Sequence, residues 1–191
     1  TNLRRVHEAG LFEGEVPRLR PLQPYRLRIR YRNGATLTKH DPYFFAPQLT
    51  DFDLYLFGEG NHHGIYYKLG AHPTTLDGLA GTRFAVWAPN GERVSVVGPF
   101  NLWDGRRHAM QVRGGSGIWE LFIPGVGPGT AYKYEIRARS GQTLASVPLV
   151  HQGRAVGALM AQWPAAAPPT AAQLALLDSV ADNIKGRTIC A

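Results

Sequence analysis

Thr82-Arg83-Phe84-Ala85-Val86-Trp87-Ala88-Pro89-Asn90-Gly91-Glu92-Arg93-Val94-Ser95-Val96-Val97 is the stretch whose reading decides the fold. Two runs rich in β-branched and aromatic residues, Thr82–Trp87 and Arg93–Val97, flank the turn signal Pro89-Asn90-Gly91. Side chains alternate along a strand, so Phe84 and Val86 face one way and Ala85 and Trp87 the other. The pattern returns downstream. Strands are expected at Ile118–Ile123 and Ala131–Ile136, set off by Gly114-Gly115-Ser116-Gly117 and by the glycines from Gly125 to Gly129. Short strands at this spacing predict an antiparallel, immunoglobulin-like β-sandwich over 81–143. Trp87 and Trp119 lie within strands and are expected in its core.

Upstream, residues 1–50 read as a partial β domain. Tyr25, Leu27, Ile29 and Tyr31 alternate with Arg26, Arg28 and Arg30, which predicts a half-buried strand with a wet basic face. Asn33-Gly34 then signals a hairpin, with Ala35–Lys39 as the partner strand. Read this way the first sheet is incomplete, and an exposed, aggregation-prone edge is expected. Residues 51–80 read as a connector that packs through Tyr55, Phe57, Tyr66 and Tyr67. Downstream, 144–191 changes character. Val147–Val150 and Ala155–Ala161 are expected as strands around Gln152-Gly153, followed by a Pro/Ala linker. Thr170 is a good N-cap, and Leu174, Leu177, Val180, Ala181 and Ile184 recur at helical spacing. One C-terminal helix is therefore expected over about 170–185.

The chain's net charge is +7. Basic residues can neutralise phosphates, but no zinc-finger or RNA-recognition motif accompanies them here. A solvated basic surface and no nucleic-acid partner are expected. The single cysteine, Cys190, excludes an internal disulfide and fits a cytoplasmic location. No apolar run is long enough to predict a transmembrane helix. The first residues resemble no signal peptide and lack an initiator Met, so a chain that starts mid-protein is expected.

Phe100-Asn101-Leu102-Trp103-Asp104-Gly105 carries the strongest chemistry. An indole can stack on the apolar face of a pyranose while an amide bonds its hydroxyls. Lys133, within Tyr132-Lys133-Tyr134, can add a charged donor. Asn101, Trp103 and Lys133 are thus the candidate carbohydrate-binding residues. The seven histidines are scattered, and His62-His63 would point to opposite faces of a strand, so no metal site is expected. There is no Gly-x-Ser-x-Gly elbow. Asp104 and Glu120 fall on separate elements, with nothing to mark them as the carboxylate pair of a glycosidase. No catalytic residue and no cofactor are nominated.

These motifs together resemble a known family. Phe84-Ala85-Val86-Trp87-Ala88-Pro89-Asn90, Arg93–Asn101, Trp103–His108, Gly117–Pro124 and Tyr132–Ile136 resemble the family 48 carbohydrate-binding module of branching enzymes. Ahead of them, Gly10–Gly14, Asp41-Pro42-Tyr43, Leu56–Gly60 and Tyr67–His72 resemble the end of the preceding N-terminal domain of glycogen branching enzymes and its junction to the module. The likeness covers residues 3–143. It implies an α-1,4-glucan such as glycogen as partner, and a branching reaction housed in a (β/α)₈ barrel. That barrel takes about 250 residues, far more than follow residue 143, so the chain is expected to be a non-catalytic portion of a longer protein. Pro99 stands where the family commonly has an acidic residue, and no counterpart of a second sugar-contacting Trp follows the Lys133 strand. Beyond Gln142 the likeness ends. The tail, with Val147-Pro148-Leu149 and Gly153–Gly157, is similar to the last strands and helix of a GAF domain, which implies a signalling or interaction fusion as the alternative reading.

Overall fold

The computed structural model describes residues 2–16, 24–151 and 154–163. The expected helix over 170–185 lies outside them. The chain divides into two units, Thr1–Phe44 and Phe45–Ala191.

The first unit holds two separate antiparallel ribbons. β1 (Arg4–Arg5) pairs with β2 (Phe12–Glu13), and β3 (Arg26–Arg30) with β4 (Thr36–His40). The second hairpin turns through Arg32-Asn33-Gly34. Tyr31 N–H donates to Ala35 O at 2.8 Å, and Gly34 sits at φ 85°, where a side chain would be strained. Leu27 and Ile29 are half-buried and the three arginines exposed, as the alternation predicts. Tyr25 donates its hydroxyl to Asp41, and that hydrogen bond pushes the phenol up to about 12.

The second unit is a mainly antiparallel β-sandwich. One sheet runs β5 (Gly70–Leu76), β6 (Leu79–Trp87), β9 (Ile118–Pro124), β8 (Gln111–Val112). The other runs β7 (Gly91–Val97), β10 (Lys133–Ala138), β11 (Thr143–His151), β12 (Arg154–Trp163). Strand β5 starts inside the stretch read as a connector. The two strands expected after Gln142 are present and extend the sheet of β10, with Tyr134 opposite Ser146 and Ile136 opposite Leu144. Between the sheets, Phe84, Val94, Val96, Trp119, Leu121, Ile123, Tyr134 and Ile136 form the core. Tyr134 Oη reaches across to Gly70 O (3.2 Å) and Ala85 O (3.3 Å), and burial holds its phenol well above its usual range.

Residues 45–69 cover the outer face of the first sheet. Their centre is a helix, α1 (Asp51–Gly58), which the sequence reading missed. A capping box starts it: Asp53 N–H donates to Thr50 Oγ1 at 3.1 Å, and Thr50 N–H to Asp53 Oδ2 at 2.9 Å. Helical spacing turns Leu54 and Phe57 to the sheet, where with Ile65 and Leu69 they pack on Leu49, Ala85 and Ile118. Tyr55, Tyr66 and Tyr67, expected to pack, are exposed instead, because the helix and the short turn Ile65–Tyr67 point them outward. Trp119 is buried as expected, its Nε1–H donating to Ala88 O at 3.0 Å. Trp87 is not in the core. It shares the outward phase of Ala85, and 54% of it is exposed, with the edge of Phe57 against it.

Candidate functional site

The loop after β7 lies over the outer face of the second sheet. Tyr134 and Ile136 of β10 point into the core, so Lys133 and Glu135 point out. Lys133 is nevertheless only 1% exposed, because the loop covers it. Its ammonium sits 5.3 Å from the centre of the Trp103 ring, a cation–π arrangement.

Asn101 builds the loop. It ends a short turn, Pro99–Asn101, and is 1% exposed. Its Oδ1 accepts from Gly98 N–H at 2.9 Å, and its Nδ2 donates to Val96 O at 2.8 Å. Nδ2 also lies 2.8 Å from His108 Nδ1, which makes that nitrogen an acceptor. The amide is thus used inside the protein. The sequence reading gave it the sugar hydroxyls; the structure gives it the loop.

What Asn101 holds is unusual backbone. Leu102 and Trp103 both adopt φ 59°, a left-handed region non-glycine residues seldom occupy. Trp103 N–H donates to Gly98 O at 2.9 Å and closes the turn. Together these bonds present the indole with 37% of Trp103 exposed. Farther along, Asp104 accepts from the Arg106 backbone N–H (3.0 Å) and from its guanidinium (2.9 Å), with Arg107 Nε at 3.4 Å. The Arg106 side-chain hydrogen bond and then its backbone N–H hold the Asp104 carboxyl well below the usual carboxylate range. A Cβ on Gly105 would overlap the Glu135 carboxylate, which is fixed by Arg93 Nη2 at 2.8 Å. Phe100 anchors the loop's start against the core, its ring 5.6 Å from that of His108.

The structure therefore brings Asn101, Trp103 and Lys133 together as a loop brace, a half-exposed indole and a buried cation. Gly105, His108 and Glu135 belong to the same construction and were not singled out from sequence. The available signal was Asp104-Gly105, a tight-turn pair that lets the loop approach a strand closely. Chemically the arrangement offers a fixed, half-exposed aromatic surface beside charged groups. Among the described residues no cluster of His, Cys, Asp and Glu could hold a metal ion, and no helix is long and apolar enough to cross a membrane.

Residues 68–149 match the family model of Carbohydrate-binding module 48 (Isoamylase N-terminal domain). The match opens two residues before β5 and closes within β11. The chain is 57% identical over 145 residues to the 1,4-alpha-glucan branching enzyme GlgB of Rubrobacter xylanophilus, covering 74% of this chain and 19% of that protein. It is 55% identical over 142 residues to the GlgB of Methylococcus capsulatus, covering 74% and 19%. With the GlgB of Thermosynechococcus vestitus the identity is 56% over 137 residues, covering 71% and 18%. The chain thus spans about a fifth of the length of the curated relatives it matches.

Proposed function

We propose that this chain is the non-catalytic N-terminal portion of a 1,4-α-glucan branching enzyme, and that its sandwich holds α-1,4-glucan such as glycogen against Trp103. One observation carries the reading. Within the segment matching a carbohydrate-binding module, an indole is held half-exposed in strained backbone by a fully used amide and lies over a buried ammonium. Strain of this kind persists only where the surroundings impose it. Pyranose rings present apolar C–H faces, and a rigid indole offers them contact area at little entropic loss. Lys133 polarises and supports the ring, and Asn101 fixes the loop that carries it. The branching reaction belongs to a catalytic barrel beyond this chain, on which the outer surfaces of this portion pack.

Affinity electrophoresis in glycogen tests the binding claim. The chain is expected to be retarded in a glycogen gel, and Trp103→Ala to run as in a blank gel. Equal mobility of both proteins in both gels overturns the site. An iodine-stain assay with amylose is expected to show no branching by the chain alone.

A further inference from the structure

The first unit carries charge that the glucan reading does not use. Residues 1–44 hold nine of the chain's 21 Lys and Arg but only four of its 14 Asp and Glu, a net +5 out of +7. On β3 the charge is ordered. Arg26, Arg28 and Arg30 are exposed on one face, while Leu27 and Ile29 turn away. Strand geometry spaces neighbouring arginines by about 6.7 Å. Directly across on β4 stand His40, Thr38 and Thr36, in register with Arg26, Arg28 and Arg30. Cross-strand partners share a face, so the ribbon presents two rows, one of guanidinium groups and one of hydroxyls and an imidazole. Among the described residues none of these three arginines forms an ion pair.

We infer that this face of the β3–β4 ribbon binds a linear polymer bearing phosphate groups, and that the polymer is a phosphate-substituted α-glucan. The guanidinium fork matches phosphate oxygens in pairs, and threonine hydroxyls are common second donors to the same group. A neutral glucan offers such a row hydroxyls but no negative charge to match it. A single-stranded nucleic acid fits less well, because its binding surfaces pair charge with aromatic rings for stacking. No Phe, Tyr or Trp stands among Arg26, Arg28, Arg30, Thr36, Thr38 and His40. The choice of a glucan rests on the reading proposed above for Trp103.

The experiment is affinity electrophoresis of the whole chain in phosphate-bearing amylopectin and in the same amylopectin after phosphatase treatment. Retardation is expected to be about fivefold stronger before treatment, a gain in keeping with three exposed charge pairs, and to weaken with added salt. The triple variant R26Q/R28Q/R30Q should lose that gain, and the triple Lys variant should keep most of it. R137Q/R139Q, which removes charge elsewhere, should keep it all. Trp103→Ala should abolish retardation in the phosphatase-treated gel and leave in the phosphate-bearing gel a weak, salt-sensitive retardation that R26Q/R28Q/R30Q removes. If Trp103→Ala changes nothing while the arginine variant abolishes the difference, the Trp103 site fails and the arginine face stands. Equal retardation before and after phosphatase, or a difference insensitive to the triple Gln variant, overturns the inference. So does a mixed-sequence oligonucleotide that displaces the chain from phosphate-bearing amylopectin at lower phosphate concentration than the glucan itself.

Discussion

Each sheet of the sandwich has its outer face covered by a segment that is not a strand, and the two covers are secured by different chemistry. Residues 45–69 close the first sheet with apolar contacts around Leu49, Ala85 and Ile118 and with a buried carboxylate. Glu120, 4% exposed, accepts from Gln48 N–H at 2.7 Å and Leu49 N–H at 3.2 Å, and faces Arg83 and Arg113 at 3.9 and 3.8 Å. The loop from Gly98 to Arg107 closes the second sheet with an amide network and strained backbone, and leaves a tryptophan half in solvent. The first cover buries the apolar residues at its centre and leaves only the edge ring it touches, Trp87, largely in solvent. The second is built to show one ring. Under the function proposed for Trp103, that contrast is one between a structural contact and a binding surface.

The contrast predicts unequal mutational responses. Glu120→Ala should be the most destabilising change. It strips two backbone donors of their acceptor and leaves Arg83 buried without its counter-charge, while half-buried Arg113 keeps only Asp51 at 3.9 Å, a loss of about 3–5 kcal/mol. Urea unfolding followed by tryptophan fluorescence measures it. A loss below about 1 kcal/mol would mean that the apolar cluster alone holds residues 45–69.

Asn101→Ala comes next. Gly98 N–H and Val96 O lose a buried partner, a loss of about 2–3 kcal/mol. Because the amide also holds Trp103 in place, glucan retardation should vanish with it. Retained binding in this variant would return Asn101 to a passive role. Gly105→Ala follows at about 1–3 kcal/mol, since the added methyl meets the Glu135 carboxylate. Combining it with Glu135→Ala should recover part of that loss, and the departure from additivity reports the contact directly.

Acid probes the first cover without mutation. Burial favours the neutral form of Asp53, but the Thr50 backbone N–H, His62 at 3.0 Å and Lys68 at 3.4 Å overcome it and hold the carboxyl well below its usual range. A carboxyl depressed in the folded state stabilises above its unfolded value of about 3.9, and that stability is lost as pH falls through the folded value. Thermal stability should therefore drop between pH 5 and lower pH more steeply in the wild type than in Asp53→Asn. Parallel curves would show that the capping carboxylate does not couple to folding.

Much of this was legible in the sequence, and what was not has definite causes. Period-two alternation located β6, β7, β9 and β10, and Asn33-Gly34 located the hairpin, because both signals are local. Helix α1 was missed because Asp51-Phe52-Asp53-Leu54 mimics strand alternation over four residues. The decisive clue, Thr50 three residues before Asp53, is a capping signal and not a periodic one. Trp87 was misplaced because both faces of β6 are apolar, so phase alone did not say which face met the second sheet. In the site, the motif named Asn101, Trp103 and Lys133 but not their division of labour. Whether an amide points at solvent or at its own backbone depends on the path of the loop. Glu120 sits in a strand buried on both faces, and its acceptor role depends on Gln48 and Leu49, some seventy residues away in sequence.

The smallest expected change in stability belongs to Trp103→Ala, and it sharpens the comparison most. The ring is half in solvent, so its removal should cost below about 1 kcal/mol in unfolding experiments. Loss of the cation–π contact over Lys133 is offset in part because removing the ring lets water reach the buried ammonium. Glucan retardation, by contrast, should disappear. A residue whose removal leaves the fold intact and abolishes binding marks a surface presented for a ligand. If Trp103→Ala instead unfolds the sandwich as Glu120→Ala does, the two covers are alike, and the loop over the second sheet is only another lid.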